Sequence, residues 1–260
     1  MISEIVLGPI TIHLYGLIIG IAITAGWWWA KLQATKAGIS PEFFDKIALS
    51  GVISGLLGAR IYHVIDYWTY YQSQPGQIVA VWQGGLGIFG AVIGGALGIL
   101  AAIYLIDRKS QNKVPVLLDA AAWALPLSQG IGRWGNWING ELFGGPTNNF
   151  WGIYVAETNR PKEWMEYSYF HPLFFYESGL NLVLFGLMIW VSRNSSWRLG
   201  LGKYLSLYLV GYGLIRLLLE PMRLNPWRLA GIPTAQLLAM ISMVIGVVLF
   251  IRSLKKDEKN

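Results

Sequence analysis

The chain is 260 residues long and 54% hydrophobic, with only 13% charged residues, where an ordinary soluble domain carries roughly 25%. That deficit is the first sign that lipid is the solvent. The net charge of +6 does not mark a nucleic-acid binder, because the basic residues sit in short loops between long apolar runs. Cysteine is absent, so the protein supplies no disulfide, cluster ligand or thiolate nucleophile, and any thiol in its chemistry belongs to a substrate.

Glu4 is the only charge before the first apolar run. A cleavable signal peptide would carry Lys or Arg there, so the run reads as a retained membrane helix. A membrane helix needs about 20 mostly apolar residues, and seven segments qualify, at roughly 12–31, 46–65, 86–107, 115–131, 173–192, 203–220 and 233–252. The fold class expected is an all-α polytopic membrane protein of about seven transmembrane helices, forming a single integral domain over 1–260. The 13 Trp and 13 Tyr suit aromatic belts at two interfaces.

Orientation follows from the loop cations. With the N-terminus outside, about 13 of the 20 basic residues fall on the inner side. These include Lys31, Lys36 and Lys46, then Arg108, Lys109 and Lys113, then Arg193, Arg198, Lys203 and the tail with Lys259. The outer side holds Arg60, Arg133, Arg160, Lys162, Arg216, Arg223 and Arg228. This bias predicts N-out, C-in. The polar stretch 132–172, rich in Gly, Asn and Trp, reads as a small outer-face head insertion of mixed structure. Gly51, Gly55 and Ala59 recur every four residues in one segment, and Gly90, Gly94 and Gly98 in the next. Small residues at that spacing let helix backbones approach closely.

Ionisable groups at membrane depth are by default functional. Arg60 lies near the outer end of its segment, where it either snorkels to headgroups or faces a polar cavity. Tyr212, Arg216 and Glu220 are spaced by four and share one helix face. An internal ion pair would at best break even in the bilayer, so a functional face is favoured. The densest cluster is Gly132-Arg133-Trp134-Gly135-Asn136-Trp137-Ile138-Asn139-Gly140-Glu141-Leu142-Phe143-Gly144. Glycines admit a ligand close to the backbone. Arg offers a planar fork suited to phosphate, and Asn offers neutral donors and acceptors for hydroxyls.

This string resembles the signature of the prolipoprotein diacylglyceryl transferase family, GRxGNxxNxExxG, with every fixed position occupied. Further stretches resemble the family in the same order: Leu14-Tyr15-Gly16-Leu17, Gly58-Ala59-Arg60, Trp82-Gln83-Gly84-Gly85-Leu86 with Gly90, His171-Pro172 with Tyr176-Glu177, and Tyr212, Arg216 and Glu220. The similarity covers nearly the whole chain. One position departs from it. Phe89 stands where many members have His, and Phe cannot take a proton, so no mechanism needing that His applies. His13, His63 and His171 remain. His171 precedes a proline at a helix start and reads as structural.

The resemblance implies transfer of diacylglyceryl from phosphatidylglycerol to the thiol of the lipobox cysteine in prolipoprotein signal peptides, releasing glycerol 1-phosphate. It also implies a site in the bacterial cytoplasmic (inner) membrane, facing the outer leaflet. Arg133 and Arg216 would hold the phosphate, with Arg60 a further candidate. Asn136 and Asn139 would bind the glycerol headgroup or position the loop. Glu141 and Glu220 would orient the arginines or accept a proton, and Tyr15 and Tyr212 are hydroxyl partners. No cofactor is expected and no metal site is evident: there is no HExxH string, no run of paired Asp and no Cys. The rival from another class is a transporter or channel for an anionic solute, against which stand the lack of an obvious inverted repeat and the clustering of polar residues toward the outer half; a purely structural lipid-binding membrane protein would not explain the paired Arg and Glu positions.

Overall fold

The computed structural model describes residues 4–7, 10–81, 84–106, 113–229 and 231–257. Trp82 and Gln83, the loop cations Arg108 and Lys109, and the tail end with Lys259 lie outside the described residues. In chain order the elements are β1 (Glu4–Leu7), β2 (Ile10–His13), α1 (Leu14–Lys36), α2 (Pro41–Asp66), α3 (Trp68–Ser73), α4 (Ile88–Ile106), α5 (Val114–Ile138), β3 (Ile153–Tyr154) and β4 (Tyr169–Phe170). They continue with α6 (Leu173–Asn194), α7 (Lys203–Leu219), β5 (Arg228–Leu229), β6 (Ile232–Pro233) and α8 (Thr234–Asp257). Among the described residues the strands form two-stranded antiparallel sheets, β1 with β2, β3 with β4 and β5 with β6.

Among the described residues six helices are long and apolar enough to cross a membrane: α2, α4, α5, α6, α7 and α8. The chain is therefore a multi-pass, predominantly helical membrane protein. The long helix α1 is not among the six; its Trp27-Trp28-Trp29 run, Lys31 and Gln33 dilute its apolar surface. The largest boundary difference is in α5, expected to stop near 131. It runs on to Ile138, so Gly132, Arg133, Gly135 and Asn136 are helical. The polar segment between α5 and α6 begins only after them.

The chain forms two compact units, Ala34–Val114 and Met1–Gln33 with Pro115–Asn260. In the first, α2 opens with Ser40, whose hydroxyl accepts the Phe43 N–H at 3.2 Å, and with Pro41 in the first turn. Helices α2 and α4 then pack backbone to backbone. A Cβ on Gly58 would overlap the Gly90 carbonyl, and one on Gly94 would stand 3.0 Å from Gly58 Cα. The small-residue line of α2 thus passes through Gly58 rather than its neighbour Ala59, which is itself buried.

In the second unit the core joins α5, α6 and α7. Trp123 stacks on Tyr204 with centroids 4.6 Å apart, over Leu184, Met188 and Ile215. Asp119 of α5 is fully buried, and its carboxylate accepts the N–H groups of Gly200 at 2.8 Å, Gly202 at 2.9 Å and Leu205 at 2.9 Å. Helix α7 starts at a glycine with no side-chain cap of its own. Asp119 supplies that cap from another helix and satisfies donors that would otherwise be orphaned.

Candidate active site

The last turns of α5 and the loop after them build one wall of a polar site. Helical spacing puts Arg133 and Asn136 on one face, and Arg133 Nη1 donates to Asn136 Oδ1 at 3.3 Å. The chain then turns through Gly140, at φ 65°, and Leu142, at φ 59°. A left-handed leucine is strained backbone of the sort that collects at functional sites. It is held because the Leu142 carbonyl accepts the Phe174 N–H at 3.0 Å. The turn brings Glu141 back over α5, where its carboxylate accepts from the amides of Asn136 at 2.9 Å and Asn139 at 3.4 Å. Gly144 closes the string at a close approach: a Cβ there would lie 3.0 Å from the Met222 carbonyl and 3.1 Å from His171 Cβ.

The second wall comes from α6 and α7, and its hub is Glu177. This carboxylate is 1% exposed, yet it accepts from Arg133 Nη2 at 2.6 Å, from Tyr212 Oη at 3.3 Å and from Arg216 Nη1 at 3.5 Å. Arg216 also pairs with Glu220 one turn on, and Arg223 stands 4.0 Å from the same carboxylate. A buried charge is tolerable only when paired and hydrogen-bonded. Glu177 meets that condition through two arginines on different helices, which fixes both guanidinium groups relative to each other.

These walls enclose a cavity of about 490 Å3 lined by Arg133, Asn136, Asn139, Glu141, Arg216 and Arg223 among others. Three guanidinium groups face one space. A planar guanidinium fork facing a cavity is matched by phosphate oxygens, and Arg133 Nε itself lies buried within the wall. Arg223 carries the freer side chain, at 41% exposure against 13% for Arg216.

Of the residues expected from the sequence, Arg133, Asn136, Asn139, Glu141 and Arg216 line this cavity, Glu220 pairs with Arg216, and Tyr212 donates to Glu177 between the arginines. Tyr15 of α1 lies over the same turn of α5: a Cβ on Gly135 would come 3.0 Å from its ring. Arg60 is differently engaged. In the other unit it donates to the carbonyls of Ile78 at 2.9 Å, Gly84 at 2.6 Å, Gly85 at 3.0 Å and Gln77, with Tyr71 beneath its guanidinium at 5.3 Å. Gly84 and Gly85 have positive φ, which turns both carbonyls toward it. Phe89 packs beside Tyr62 at 6.0 Å, also in that unit. His171 binds Tyr176 Oη at 3.1 Å and pairs through its backbone with Gly144 and Gly145. Among the described residues no group of three or more His, Asp or Glu is arranged to hold a metal ion.

Two members of the site, Glu177 and Arg223, were not singled out for chemistry in the sequence. The available signal for Glu177 was a carboxylate inside an apolar helix, unpaired by anything at i±3 or i±4. For Arg223 it was the spacing of three from Glu220.

The model of the prolipoprotein diacylglyceryl transferase family matches residues 3–252. Curated relatives bear the name phosphatidylglycerol–prolipoprotein diacylglyceryl transferase. The one from Symbiobacterium thermophilum is 39% identical over 256 residues, covering 98% of this chain and 93% of its own. Those from Synechococcus elongatus and a Nostoc species are each 37% identical, over 244 and 246 residues; both alignments cover 93% of this chain, with 83% and 85% of the respective relatives. With the string from Gly132 to Gly144 folded into an arginine-lined cavity, and with matches of this extent, the chain belongs to the prolipoprotein diacylglyceryl transferase family.

Proposed function

We propose that the chain transfers the diacylglyceryl group of phosphatidylglycerol to the lipobox cysteine thiol of prolipoprotein signal peptides, releasing glycerol 1-phosphate as the first step of lipoprotein maturation. The observation that carries this is the cavity with Arg133, Arg216 and Arg223 around one space, beside hydroxyl-binding carboxamides. Phosphatidylglycerol brings one phosphate and a glycerol headgroup, and the names of the relatives contain that lipid and that acceptor.

In the reaction the cysteine sulfur attacks the diacylglyceryl carbon that bears the phosphate ester. The C–S bond forms, the C–O bond breaks, and the electron pair leaves on glycerol 1-phosphate. Guanidinium groups aimed at the phosphate stabilise the charge that grows on the departing oxygen. A thiol of pKa about 8.5 must also lose its proton. Glu177 and Glu220 are spent on arginines. Glu141 is held only by two neutral carboxamides on the cavity wall, which makes it the carboxylate best suited to accept the proton. Asn136 and Asn139 orient it, and Tyr212 and Glu177 hold Arg133 and Arg216 in register.

The cavity end of α5 faces the outer leaflet of the bacterial cytoplasmic membrane in this proposal, with α1 a seventh span, the N-terminus outside and the tail inside. The Lys and Arg bias supports this orientation. The test is direct: purified protein, phosphatidylglycerol vesicles and a lipobox peptide, followed by mass spectrometry. A diacylglyceryl adduct on the cysteine is the expected product, and its absence with folded protein would overturn the proposal.

A further inference from the structure

We propose that Asn159 and Asn225 bind the two hydroxyls of the headgroup glycerol and so set the preference for that headgroup, an assignment that rests on the proposed reaction. Among the described residues four carboxamides line the cavity: Asn136, Asn139, Asn159 and Asn225. The first two are spent inside the wall. Both donate to Glu141, at 2.9 and 3.4 Å, and Asn136 also accepts from Arg133 at 3.3 Å. Asn159 and Asn225 stand outside that network, and each reaches the cavity on its own segment. Asn159 comes from the polar stretch between α5 and α6. Its neighbour Arg160 ties that stretch down, donating to the carbonyls of Val155 at 2.8 Å and Met165 at 3.0 Å with Tyr154 beneath it at 5.6 Å. The Asn159 carboxamide then rests on the bare Cα of Gly140, where a Cβ would overlap its Nδ2. Its Oδ1 takes only a long contact, 3.4 Å, from the Thr158 hydroxyl. Asn225 follows Arg223 after α7, and backbone pairing of Arg223 with Gly144 holds this turn against the cavity wall.

Burial grades across the cavity. The side chains of Arg216 and Arg133 are 13% and 24% exposed, whereas Asn159 and Asn225 are exposed residues. In a phospholipid the headgroup alcohol lies on the water side of the phosphate. A phosphate seated on the guanidinium groups therefore presents its alcohol to the two carboxamides at the open side. The chemistry matches in kind. Each carboxamide offers an acceptor oxygen and an NH2 donor, and each hydroxyl both donates and accepts. An ammonium headgroup only donates, so it would leave the NH2 groups unmatched. An alkyl headgroup would match neither end. Neutral carboxamides also leave the phosphate to the arginines, which a charged side chain at the same place would not.

The experiment compares two ligands that differ only in the hydroxyls. Glycerol 1-phosphate and propyl phosphate are titrated calorimetrically into the full-length protein in detergent, and glycerol 1-phosphate should bind more tightly. One net hydrogen bond corresponds to about three- to tenfold in affinity. Asn159→Ala and Asn225→Gly should each shrink the ratio of the two affinities by that factor. Glycine is chosen at 225 because Asn225 has φ 49°, a left-handed backbone that Gly adopts without strain. The same ratio is then read in transfer to a lipobox peptide, with vesicles of phosphatidylglycerol or phosphatidylpropanol. A merely structural side chain would weaken both ligands alike and leave the ratio where it was. A ratio that stays put in either folded variant overturns the assignment of that residue, and equal binding of the two ligands by the unmodified protein overturns both. Calorimetry needs no turnover, so the two readings separate. A ratio that collapses in the variants, with no lipidated peptide formed, supports this subsite and sinks the proposed reaction. Transfer with an unmoved ratio does the reverse.

Discussion

Arg133 and Glu177 lie 44 residues apart in the chain and meet at 2.6 Å in a site where the carboxylate is 1% exposed. The same carboxylate reaches Arg216 at 3.5 Å, so one buried charge sets the position of both arginines proposed to hold the phosphate. Removing one partner of a buried pair leaves an uncompensated charge, which typically costs about 3–5 kcal/mol. Glu177→Ala should therefore lower the melting temperature in detergent markedly. Glu177→Gln keeps the shape and should fold, yet lose about 100-fold or more in transfer because both guanidinium groups drift. Full activity in a folded Glu177→Gln protein would show that the arginines are held by something else.

Arg133 combines a buried Nε with a place in the cavity wall. Loss of one charge-assisted donor to a developing phosphate charge typically costs on the order of 100- to 1000-fold in rate. Arg133→Ala should reach that loss while the protein still inserts and folds. Arg133→Lys should recover only part, since an ammonium cannot reproduce the planar fork. Turnover on phosphatidylglycerol vesicles, measured beside a thermal melt, decides the matter. A Lys variant equal to the unmodified protein would rule out bidentate phosphate binding.

Asp119 offers the opposite profile. It is fully buried, but its carboxylate accepts from backbone N–H groups leading into α7, those of Gly200, Gly202 and Leu205 among them. Asp119→Ala would strand those donors, at about 1–3 kcal/mol for each that water cannot reach. The melting temperature should fall sharply, while the rate per folded molecule at low temperature should stay within about twofold, because no contact to the cavity is lost. A selective fall in rate with an unchanged melt would contradict this.

Phe89 packs against Tyr62 and carries no titratable group. Phe89→Ala should change activity, if at all, through packing or lipid access. The pH profile of the remaining activity should keep its shape. A displaced acidic or basic limb would tie the position to the group that titrates.

The proposed orientation has its own check. A reporter fused after Lys259 should be cytoplasmic and one inserted near Asn159 should be on the outer side. Either result reversed would invert the placement of the cavity relative to the two leaflets.

The sequence by itself determined the solvent, the helices and the chemistry of one wall. Low charge and apolar runs of span length allow few alternatives to a polytopic helical protein. Spacing of three and four puts Arg133 with Asn136, and Tyr212 with Arg216 and Glu220, on shared faces whatever the tertiary fold. It did not determine which faces meet. In lipid the inward and outward sides of a helix can be equally apolar, so hydrophobic periodicity carries little information about packing partners. Only the tertiary structure could bring Glu177 of α6 between arginines of α5 and α7, or add Arg223 to the cavity. Only it could surround Arg60 with four carbonyls, since a guanidinium that binds backbone leaves no trace in side-chain spacing. The end of α5 was misjudged for a related reason. The polar string after 131 reads as the start of the outer segment, but it stays helical to Ile138, where Gly135 admits the ring of Tyr15, a role visible only once α1 and α5 are packed together.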